Sequence, residues 1–540
     1  MIQKLSKNWI LILIFILGLS VSWPLMKSGY FSHQDDLHVI RIVEMRKCFT
    51  DLQIPCRWVP DMGWGNGLPM FNFYGVSTYY FGGILSYIFG YLISAKILFF
   101  VALVLGSFGM YLLVNNLWGK YAGLIAAVLY MFAPYKALDI YVRGALTEAI
   151  ALSIVPFVFY FFQKKDYRYA TLFLFLFLIT HNIMTIIFLP VLLLWVFYLQ
   201  FETKFKDFKI VFTSFAIAFG MSAFFLLPAF LEKDLVQTES LTRFELDYRA
   251  NFISVKQLFL DRAWGYGTSI PGPEGGMNFQ IGWPHWILAV LSLSVIFVKK
   301  IDKKTKILVL SIFMIFLMSA FMTHNKSSFI WERINVLRFF QFPWRFLSLS
   351  ILTSSILGGF IVSLLKNKIQ IFVCSLVIIL SFVLNWNYFK PREFYGLTDN
   401  DRLTGLQWDQ QRKGALLDYL PKTALEPREG AQTLPLVISG ESKVTGFVNK
   451  SNSFKFNIVV NSESKIEVPV YYFPNWEVLV NGTKYPSTHD NLLGRIAINL
   501  KEGEYVVTGK FRNTPLRTMS NVISLISLFG LIYLWKNYKK

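Results

Sequence analysis

Long apolar stretches recur along almost the whole chain and are separated by short polar connections. Runs such as Trp9 to Leu19 and Ile210 to Phe230 carry no charged residue. A helix of about 20 apolar residues crosses a bilayer, so the pattern predicts a polytopic α-helical membrane protein. About twelve spans are predicted, at 8–26, 95–114, 120–135, 147–163, 169–182, 183–200, 209–230, 283–298, 304–322, 344–364, 369–386 and 517–535.

A different pattern begins after residue 386. From Gly446 to Phe511 apolar and polar residues alternate in short runs, which is typical of strands with one buried face. Asn481-Gly482 between two such runs predicts a tight hairpin. We therefore expect a membrane domain over 1–386, an extracytoplasmic β-sandwich over 387–516, and a final span with a basic cytoplasmic tail over 517–540.

Composition and charge support this division. Of the 540 residues, 54% are hydrophobic and only 16% are charged, against about 25% charged in an ordinary soluble chain, which excludes a soluble globular enzyme. The net charge of +20 does not indicate nucleic-acid binding, because cytoplasmic loops of membrane proteins collect Lys and Arg.

The same charge rule predicts the orientation in the plasma membrane. Lys4 and Lys7 place the N-terminus in the cytoplasm. If 76–93 is not a span, the later basic connections, such as 299–306, all lie on the cytoplasmic side as well; if it is a span, they all lie outside. The sequence therefore predicts that 76–93 is a helix along the outer membrane surface. Both termini are then cytoplasmic. The outer segments are 27–94, 136–146, 231–282 and 323–343.

The three cysteines cannot form a disulfide framework. Cys374 lies in an apolar run and is expected in the core, whereas Cys48 and Cys56 share one short polar segment and can pair if it faces an oxidising space. The sequence leaves this pairing open.

The segment that follows the first span combines two carboxylates with two imidazoles. It comprises Ser32-His33-Gln34-Asp35-Asp36-Leu37-His38, followed by Arg41 and Glu44. Adjacent carboxylates repel each other, so such a cluster at a membrane surface indicates a bound cation, metal or substrate, or a catalytic base. Two other interpretations stay open: a solvated helix start that complements the helix dipole, and a divalent-ion site formed by His33, Asp35, Asp36 and His38.

The next outer stretch, 55–74, is rich in Gly, Pro and aromatic residues. Its composition opposes regular structure, but it has too many aromatic residues for a free linker. We expect a packed loop that suits a carbohydrate or lipid-headgroup surface.

Several motifs together resemble one family of bacterial membrane proteins. They are the acidic segment, the loop Arg57-Trp-x-Pro-Asp-x-Gly-x-Gly-x-Gly-x-Pro-x-Phe-Asn-Phe-Tyr74, Pro134-Tyr135 followed by Arg143-Gly144-Ala145-x-x-Glu148, Thr180-His181-Asn182, Phe342-Pro343-Trp344-Arg345, Asp418-Tyr419-Leu420-Pro421, and Tyr471-Tyr472-Phe473-Pro474-Asn475-Trp476 with Asn481-Gly482. Over nearly the whole chain these features resemble the pyruvoyl-tetrahydropterin-synthase-related and YfhO-like proteins of the GT-C glycosyltransferase superfamily. Asn475 and Asn481 depart from that family's usual Gly and Asp.

The resemblance implies a GT-C-like fold and transfer of a sugar from a polyprenyl-phosphate carrier to an acceptor at the outer membrane face. In that superfamily a carboxylate of the first outer loop is catalytic, which corresponds by position to Asp35 or Asp36. The pterin label does not fit, because a pterin synthase needs a three-histidine zinc centre and the six histidines are scattered.

The chemistry of such a transfer predicts further roles. It needs a base for the acceptor hydroxyl and cations for the leaving phosphate. We expect Asp35 to be the base, since it would share a helix face with His38, and Asp36 to hold a metal or a phosphate-binding arginine. The other predicted substrate-binding residues are His33, His38, Arg143, Glu148, His181, Arg338 and Arg345.

The expected partners are a polyprenyl-phosphate-linked sugar, a cell-envelope glycan or lipid acceptor, and membrane lipids, with a divalent metal ion as a possible cofactor. Two other functions stay open. One is a transporter or flippase of lipid-linked saccharides, which would carry ionisable residues in mid-span. The other is a non-catalytic envelope assembly factor that only binds glycans. Tyr472 and Trp476 of the β domain could form a glycan-binding face for the acceptor, although a Trp in a small sandwich is more often a core residue.

Overall fold

The computed structural model describes residues 9–270 and 276–537 and is mainly helical in its first 390 residues. The helices are α1 (Trp9–Ser22), α2 (His38–Thr50), α3 (Ser77–Phe89), α4 (Tyr91–Trp118), α5 (Lys120–Met131), α6 (Pro134–Leu138), α7 (Leu146–Gln163), α8 (Tyr167–Leu178), α9 (Asn182–Glu202), α10 (Phe208–Met221), α11 (Ala223–Leu231), α12 (Val255–Phe259), α13 (Trp283–Leu291), α14 (Lys303–Met322), α15 (Ser328–Arg333), α16 (Leu347–Ser363), α17 (Asn367–Asn385), α18 (Asp399–Leu403), α19 (Gly405–Lys413) and α20 (Pro515–Asn537).

The prediction of a polytopic helical protein is confirmed, but the number of full-length spans is lower than twelve. Within 9–270 and 276–537, nine helices are long and apolar enough to cross a membrane: Trp9–Met26, Tyr91–Trp118, Lys120–Arg143, Leu146–Gln163, Asn182–Glu202, Lys303–Met322, Pro343–Ser363, Lys368–Tyr388 and Pro515–Lys536. The predicted span 209–230 is a pair of helices, α10 and α11, bent by 67°. The predicted spans 169–182 and 283–298 are short helices, of which α8 has 12 residues and is only about 18 Å long.

The basic connections of the membrane domain meet at one end of the helix bundle. Lys165, after α7, pairs with Asp207, before α10, at 2.7 Å. One cavity there is lined by Trp118, Gln163, Glu202 and Thr305, which lie at or beside the ends of four long helices. The chain thus returns to this end repeatedly, as the charge pattern predicts. Lys4, Lys7 and the tail residues 538–540, on which the predicted orientation also depends, lie outside the described residues.

The ambiguous stretch 76–93 does not form a full-length span. It forms α3, of 13 residues, and Gly90 in a left-handed conformation (φ +76°) separates it from α4. Several of its apolar side chains are exposed, Phe81, Ile84 and Ile88 among them. A helix of this length and surface fits the predicted position along the membrane better than a crossing.

The C-terminal β domain, which the sequence predicts to be extracytoplasmic and which we therefore call the outer domain, contains two antiparallel sheets. Its strands are β3 (Leu436–Ser439), β4 (Ser442–Asn449), β5 (Ser453–Val460), β6 (Ser464–Tyr471), β7 (Trp476–Val480), β8 (Thr483–Tyr485), β9 (Arg495–Leu500) and β10 (Gly503–Phe511). One sheet has the order β4-β5-β10-β7-β8 and the other the order β3-β6-β9. A short pair, β1 (Tyr30–Phe31) with β2 (Phe394–Tyr395), ties the domain's first residues to the end of the first span.

The alternating pattern arises because one face of each sheet is buried. In β5 every second residue is buried, from Phe454 to Val460. The predicted hairpin is present: Asn481 and Gly482 both have positive φ and join β7 to β8. Asn475 also has positive φ (+76°), a conformation that favours Gly and that Asn tolerates better than most residues.

The aromatic loop 55–74 is part of the core and not an open binding surface. Trp58 is fully buried, and its ring lies 5.5 Å from that of Trp476, which is itself only 5% exposed. The Trp476 ring also contacts Phe454 and Phe511. The predicted glycan-binding role of Trp476 is therefore wrong: the many aromatic residues of the loop serve to pack it against the outer domain.

The first part of the outer domain is not β structure. Residues 396–421, which we call the strap, contain only the short helices α18 and α19 and run across the outer loop. Strap residue Arg412 accepts a backbone hydrogen bond from Trp64 at 2.8 Å. Cys48 and Cys56 form a disulfide beneath this region, and Cys374 is buried as expected.

The predicted orientation can be tested by labelling single cysteines introduced at exposed positions. Glu245 and Leu492 lie on the side of the outer domain, and Lys304 lies at the end where the basic connections meet; all three are exposed. In intact cells a membrane-impermeant maleimide should label E245C and L492C but not K304C until the membrane is permeabilised. Labelling of K304C in intact cells would reverse the orientation.

Candidate active site

A non-helical corner between two spans organises the outer end of the bundle. Residues Asp139–Arg143 form a π-helical turn, Gly144 follows in the left-handed region (φ +67°), and α7 begins at Leu146. A glycine is needed because a Cβ at Gly144 would overlap the ring of His33.

The acidic segment is attached to this corner by its backbone. The Asp35 N–H donates to the carbonyl of Arg143 at 2.8 Å, and the Gln34 N–H donates to the carbonyl of Val142 at 3.0 Å. Both residues precede α2, whose first residue is His38. The expectation that Asp35 and His38 share a helix face is therefore wrong, because the hydrogen bonds to the corner hold Asp35 outside the helix.

Each of the two carboxylates is paired with one arginine. Asp35 Oδ2 lies 3.1 Å from Nη1 of Arg41 on α2. Asp36 accepts two parallel hydrogen bonds of 2.9 Å from Arg402 of the strap, a bidentate geometry that favours arginine over lysine. The guanidinium groups are buried, whereas the side chains of Asp35 and Asp36 are 34% and 39% exposed. The carboxylates of Asp35 and Asp36 are thus accessible to solvent, while the arginine that pairs with each of them is buried.

The two histidines of the segment are neutral positioning groups. His38 Nε2 lies 2.5 Å from the Gly144 carbonyl oxygen, which can only accept, so Nε2 carries the proton and donates it. Nδ1 is then unprotonated and accepts from the Tyr79 hydroxyl, 3.0 Å from it. Burial lowers the pKa of His38 and that of His33 to about 4. His33 Nε2 lies 3.3 Å from the hydroxyl of Tyr30 and 3.8 Å from Asp36 Oδ1.

The proposed divalent-ion site gains no support from the geometry. Across the described ranges, 9–270 and 276–537, no three His, Cys, Asp or Glu side chains are grouped closely enough to hold a metal ion. His38 uses both ring nitrogens within the protein, and both carboxylates use oxygens on arginine.

A second cluster lies deeper, behind the corner. Glu148, the third residue of α7, accepts hydrogen bonds from Arg143 (3.1 Å), Arg345 (3.3 Å) and the hydroxyl of Tyr135 (2.5 Å). Arg143 also pairs with Asp139. Every one of these side chains is buried, so the arginines compensate carboxylates that would otherwise be strongly destabilising in a low-dielectric environment.

Tyr74 joins the two clusters. Its hydroxyl accepts from Arg41 at 3.3 Å and lies 3.2 Å from the hydroxyl of Thr147, the neighbour of Glu148. Together with the backbone hydrogen bond from Asp35 to Arg143, Tyr74 brings the acidic pair beside the Glu148 cluster.

Two predicted site residues have other surroundings. His181 caps α9, since its Nδ1 accepts from the Met184 N–H at 3.2 Å. Arg338 is exposed and stacks over the Phe339 ring at 4.9 Å; its backbone carbonyl accepts from the Gln341 N–H, but among the described residues its guanidinium forms no hydrogen bond or ion pair with either cluster.

Four residues that the fold brings to the acidic pair had no role predicted from the sequence. Arg41 was visible as the next cation after the acidic segment. Asp418 and Tyr419 belong to a motif that carries the family resemblance. The role of Arg402 could not be predicted from the sequence, because it lies 366 positions after Asp36 and belongs to no recognisable motif.

Comparisons with known proteins add fold neighbours. No family model matches the chain, and no curated protein matches it. Among solved structures, the chain is similar to the archaeal oligosaccharyltransferase AglB from Archaeoglobus fulgidus in complex with an inhibitory peptide and a dolichol-phosphate, with 13% identity, a TM-score of 0.40, and coverage of 72% of this chain and 57% of that one.

A second structure is the Archaeoglobus fulgidus oligosaccharyltransferase tethered with an acceptor peptide that contains the NVT sequon. It shows 14% identity and a TM-score of 0.39, and the match covers 73% of this chain and 56% of that one. The chain thus spans somewhat more than half the length of these proteins.

The tight packing of the corner can be tested by replacing each of two glycines with alanine. Ala at Gly144 must adopt a left-handed conformation, which costs about 1–2 kcal/mol, and also overlaps His33, which adds about 1–3 kcal/mol. Ala at Gly482 (φ +82°), in the exposed β7–β8 hairpin, also has to adopt a left-handed conformation, but with nothing within 4 Å. In detergent, G144A should therefore lower the thermal midpoint clearly more than G482A. Equal midpoints would show that the corner is not tightly packed.

Proposed function

We propose that the protein is a membrane glycosyltransferase that moves a sugar from a polyprenyl-phosphate carrier to a cell-envelope acceptor at the outer face of the plasma membrane. The observation that carries the proposal is the acidic pair: Asp35 and Asp36 are adjacent, partly exposed, and each held by a buried arginine. Such a site offers negative charge beside the reacting carbon and positive charge beside a leaving phosphate.

The arginines suit the leaving group. Breaking the bond between a sugar and its phosphate places extra negative charge on the phosphate oxygens, which guanidinium groups stabilise well. Arg41 and Arg402 face the open side of the site, where each shares its charge with a partly exposed carboxylate. A donor phosphate can exchange with that carboxylate without creating an unpaired buried charge.

The deeper arginines have a different role in this proposal. Arg345 donates to Glu148, to the Phe340 carbonyl (2.6 Å) and to Gln341 (3.1 Å). Its donors are committed to the protein, as are those of Arg143. We therefore assign Arg143, Glu148 and Arg345 to positioning the corner rather than to direct phosphate binding.

The site lies at span ends, which favours an enzyme over a transporter. Glu148, Arg345 and Arg517 are each the third residue of a span. A transporter would place its ionisable residues near the middle of the bilayer. The assembly-factor hypothesis loses its proposed glycan face with the burial of Trp476, which is 5% exposed.

The test is transfer of radiolabelled sugar from a panel of polyprenyl-phosphate hexoses to envelope fractions, with the protein reconstituted in liposomes. D35N and D36N remove charge and keep shape, so each should lower the transfer rate, and the double variant should lower it by about 10² or more. Asp409 on the strap, whose carboxylate is 46% exposed and pairs only with Arg412 of its own helix, provides the matched control D409N, expected at the parent rate.

Two outcomes would contradict the proposal. If the parent protein transfers none of the sugars to any fraction, the transferase function fails. If the double variant transfers at the parent rate, the acidic pair is not the catalytic centre, and a non-catalytic role in envelope assembly becomes the better hypothesis.

A further inference from the structure

The strap covers the candidate active site from the outside. Besides the Arg402–Asp36 pair, Gly414 packs so closely on Leu37 that a Cβ there would overlap the leucine side chain. At the far end of the strap, the Lys422 N–H donates to the Leu235 carbonyl at 2.8 Å. The outer domain is therefore part of the wall of the site and not a separate appendage.

Within the strap, residues 417–420 are fixed from two sides. The ring of Tyr419 stacks on Phe73, with centroids 6.3 Å apart and planes 4° apart, and meets the ring of Tyr74 edge-on at 6.2 Å. On the other side, the Ser240 hydroxyl donates to the Leu417 carbonyl at 2.9 Å. Asp418 lies between these anchors, so its position is set by packing and not by a flexible loop.

The carboxylate of Asp418 differs from those of the acidic pair. It is half-buried, and the charges that face it are Arg41 of α2 and Asp35 of the preceding segment. Tyr74, whose ring meets that of the next residue, Tyr419, at 6.2 Å, accepts a hydrogen bond from Arg41 at 3.3 Å, so Asp418 adjoins a side chain that contacts the acidic pair's arginine. The Glu239–Lys422 ion pair (2.8 Å) is exposed. Throughout 9–270 and 276–537, no basic side chain comes within 4.0 Å of Asp418 to form an ion pair.

We propose that Asp418 is the proton acceptor of the transfer reaction, so that the outer domain supplies a catalytic residue to the membrane domain's site. This inference rests on the proposed function. In the step, the acceptor hydroxyl gives its proton to the Asp418 carboxylate while its oxygen forms the new bond to the anomeric carbon. The bond from that carbon to the carrier phosphate breaks, and its electron pair leaves with the phosphate, beside Arg41 and Arg402.

The electrostatics favour Asp418 over Asp35 in this role. Burial alone would raise the pKa of Asp35, but Arg41 together with the neighbouring imidazoles of His38 and His33 lowers the pKa below its usual value, which makes Asp35 a weak base. Burial, reinforced by Asp35 and opposed by Arg41, raises the pKa of Asp418 to about 6. A general base works best when its pKa lies just below the working pH, because it is then mostly ionised and still binds a proton more strongly than a carboxylate of lower pKa does.

The pH dependence follows directly. Below pH 6 Asp418 is protonated and cannot accept, so kcat/KM should fall tenfold per pH unit on the acidic side and reach a plateau above about pH 7. The measurement is sugar transfer by the full-length protein in liposomes, with the most active polyprenyl-phosphate hexose of the panel, between pH 4.5 and 8.

D418N should lower kcat by about 10² to 10⁴ with little change in KM. It should also abolish the fall of the rate below about pH 6, which we call the acidic step. D35N should retain the acidic step at its lower rate but at lower pH, because Asp35 raises the pKa of Asp418. D409N should match the parent protein. In D418A, added formate should restore part of the rate, because a small carboxylate can occupy the vacated space; a merely structural role would show no such rescue.

The outcomes separate the two proposals. If D35N and D36N lose activity but D418N stays within twofold of the parent or keeps the acidic step, Asp418 is not the base and the proposed function stands. If the parent protein transfers no sugar, both proposals fail. If D418N does not fold, D418E decides: a parent-like kcat would overturn the assignment, and a loss of at least tenfold with the acidic step retained would support it.

Discussion

Buried charge at the outer ends of the spans is the constraint on which this structure depends. Glu148 and Asp139 lie where water is excluded, and a buried carboxylate without a partner costs several kcal/mol. Arg143 compensates both, but only because the chain leaves the helix at Asp139–Arg143 and turns at Gly144. The same turn presents the Arg143 and Gly144 carbonyls to Asp35 and His38, so one corner sets both the buried cluster and the exposed acidic pair.

The outer domain depends on the same region from the other side. Its β-sheets pack through Trp476 on Trp58 of the outer loop, while its strap reaches Asp36 with Arg402. The Arg402 side chain is 3% exposed, so removing Asp36 alone would leave a buried cation without its partner. The domain and the bundle therefore form one site, which explains why a module far along the sequence carries residues that face the first outer loop.

The sequence predicts those features that depend on local pattern. Apolar runs and alternating strands identify the helical membrane domain, the β domain and the Asn481-Gly482 hairpin, because each follows from hydrophobic periodicity or turn chemistry. Hydropathy does not reveal helix length, so α8 and the bent pair α10–α11 were predicted as complete spans.

The candidate site was predicted only in part, for a similar reason. The acidic pair and the motif Arg143-Gly144 to Glu148 are local and were recognised, whereas the Arg402–Asp36 contact joins residues 366 positions apart. For Trp476 the sequence left a glycan-binding face and a core position open, with the core the more frequent of the two, because an aromatic residue has the same sequence signature in both; its burial selects the core. Asp35 was placed on a helix face because the backbone hydrogen bond that holds it at the corner comes from a distant residue.

The central claim is that Asp35 and Asp36 with their arginines form the donor-binding centre. The most direct measurement is an experimental structure of the protein with a non-hydrolysable polyprenyl phosphonate analogue of the sugar donor. The account predicts the phosphonate oxygens within hydrogen-bonding distance of the Arg41 or Arg402 guanidinium, with the anomeric carbon beside Asp35 and beneath the strap. A phosphonate bound at mid-bilayer, or on a surface away from the acidic pair, would contradict it.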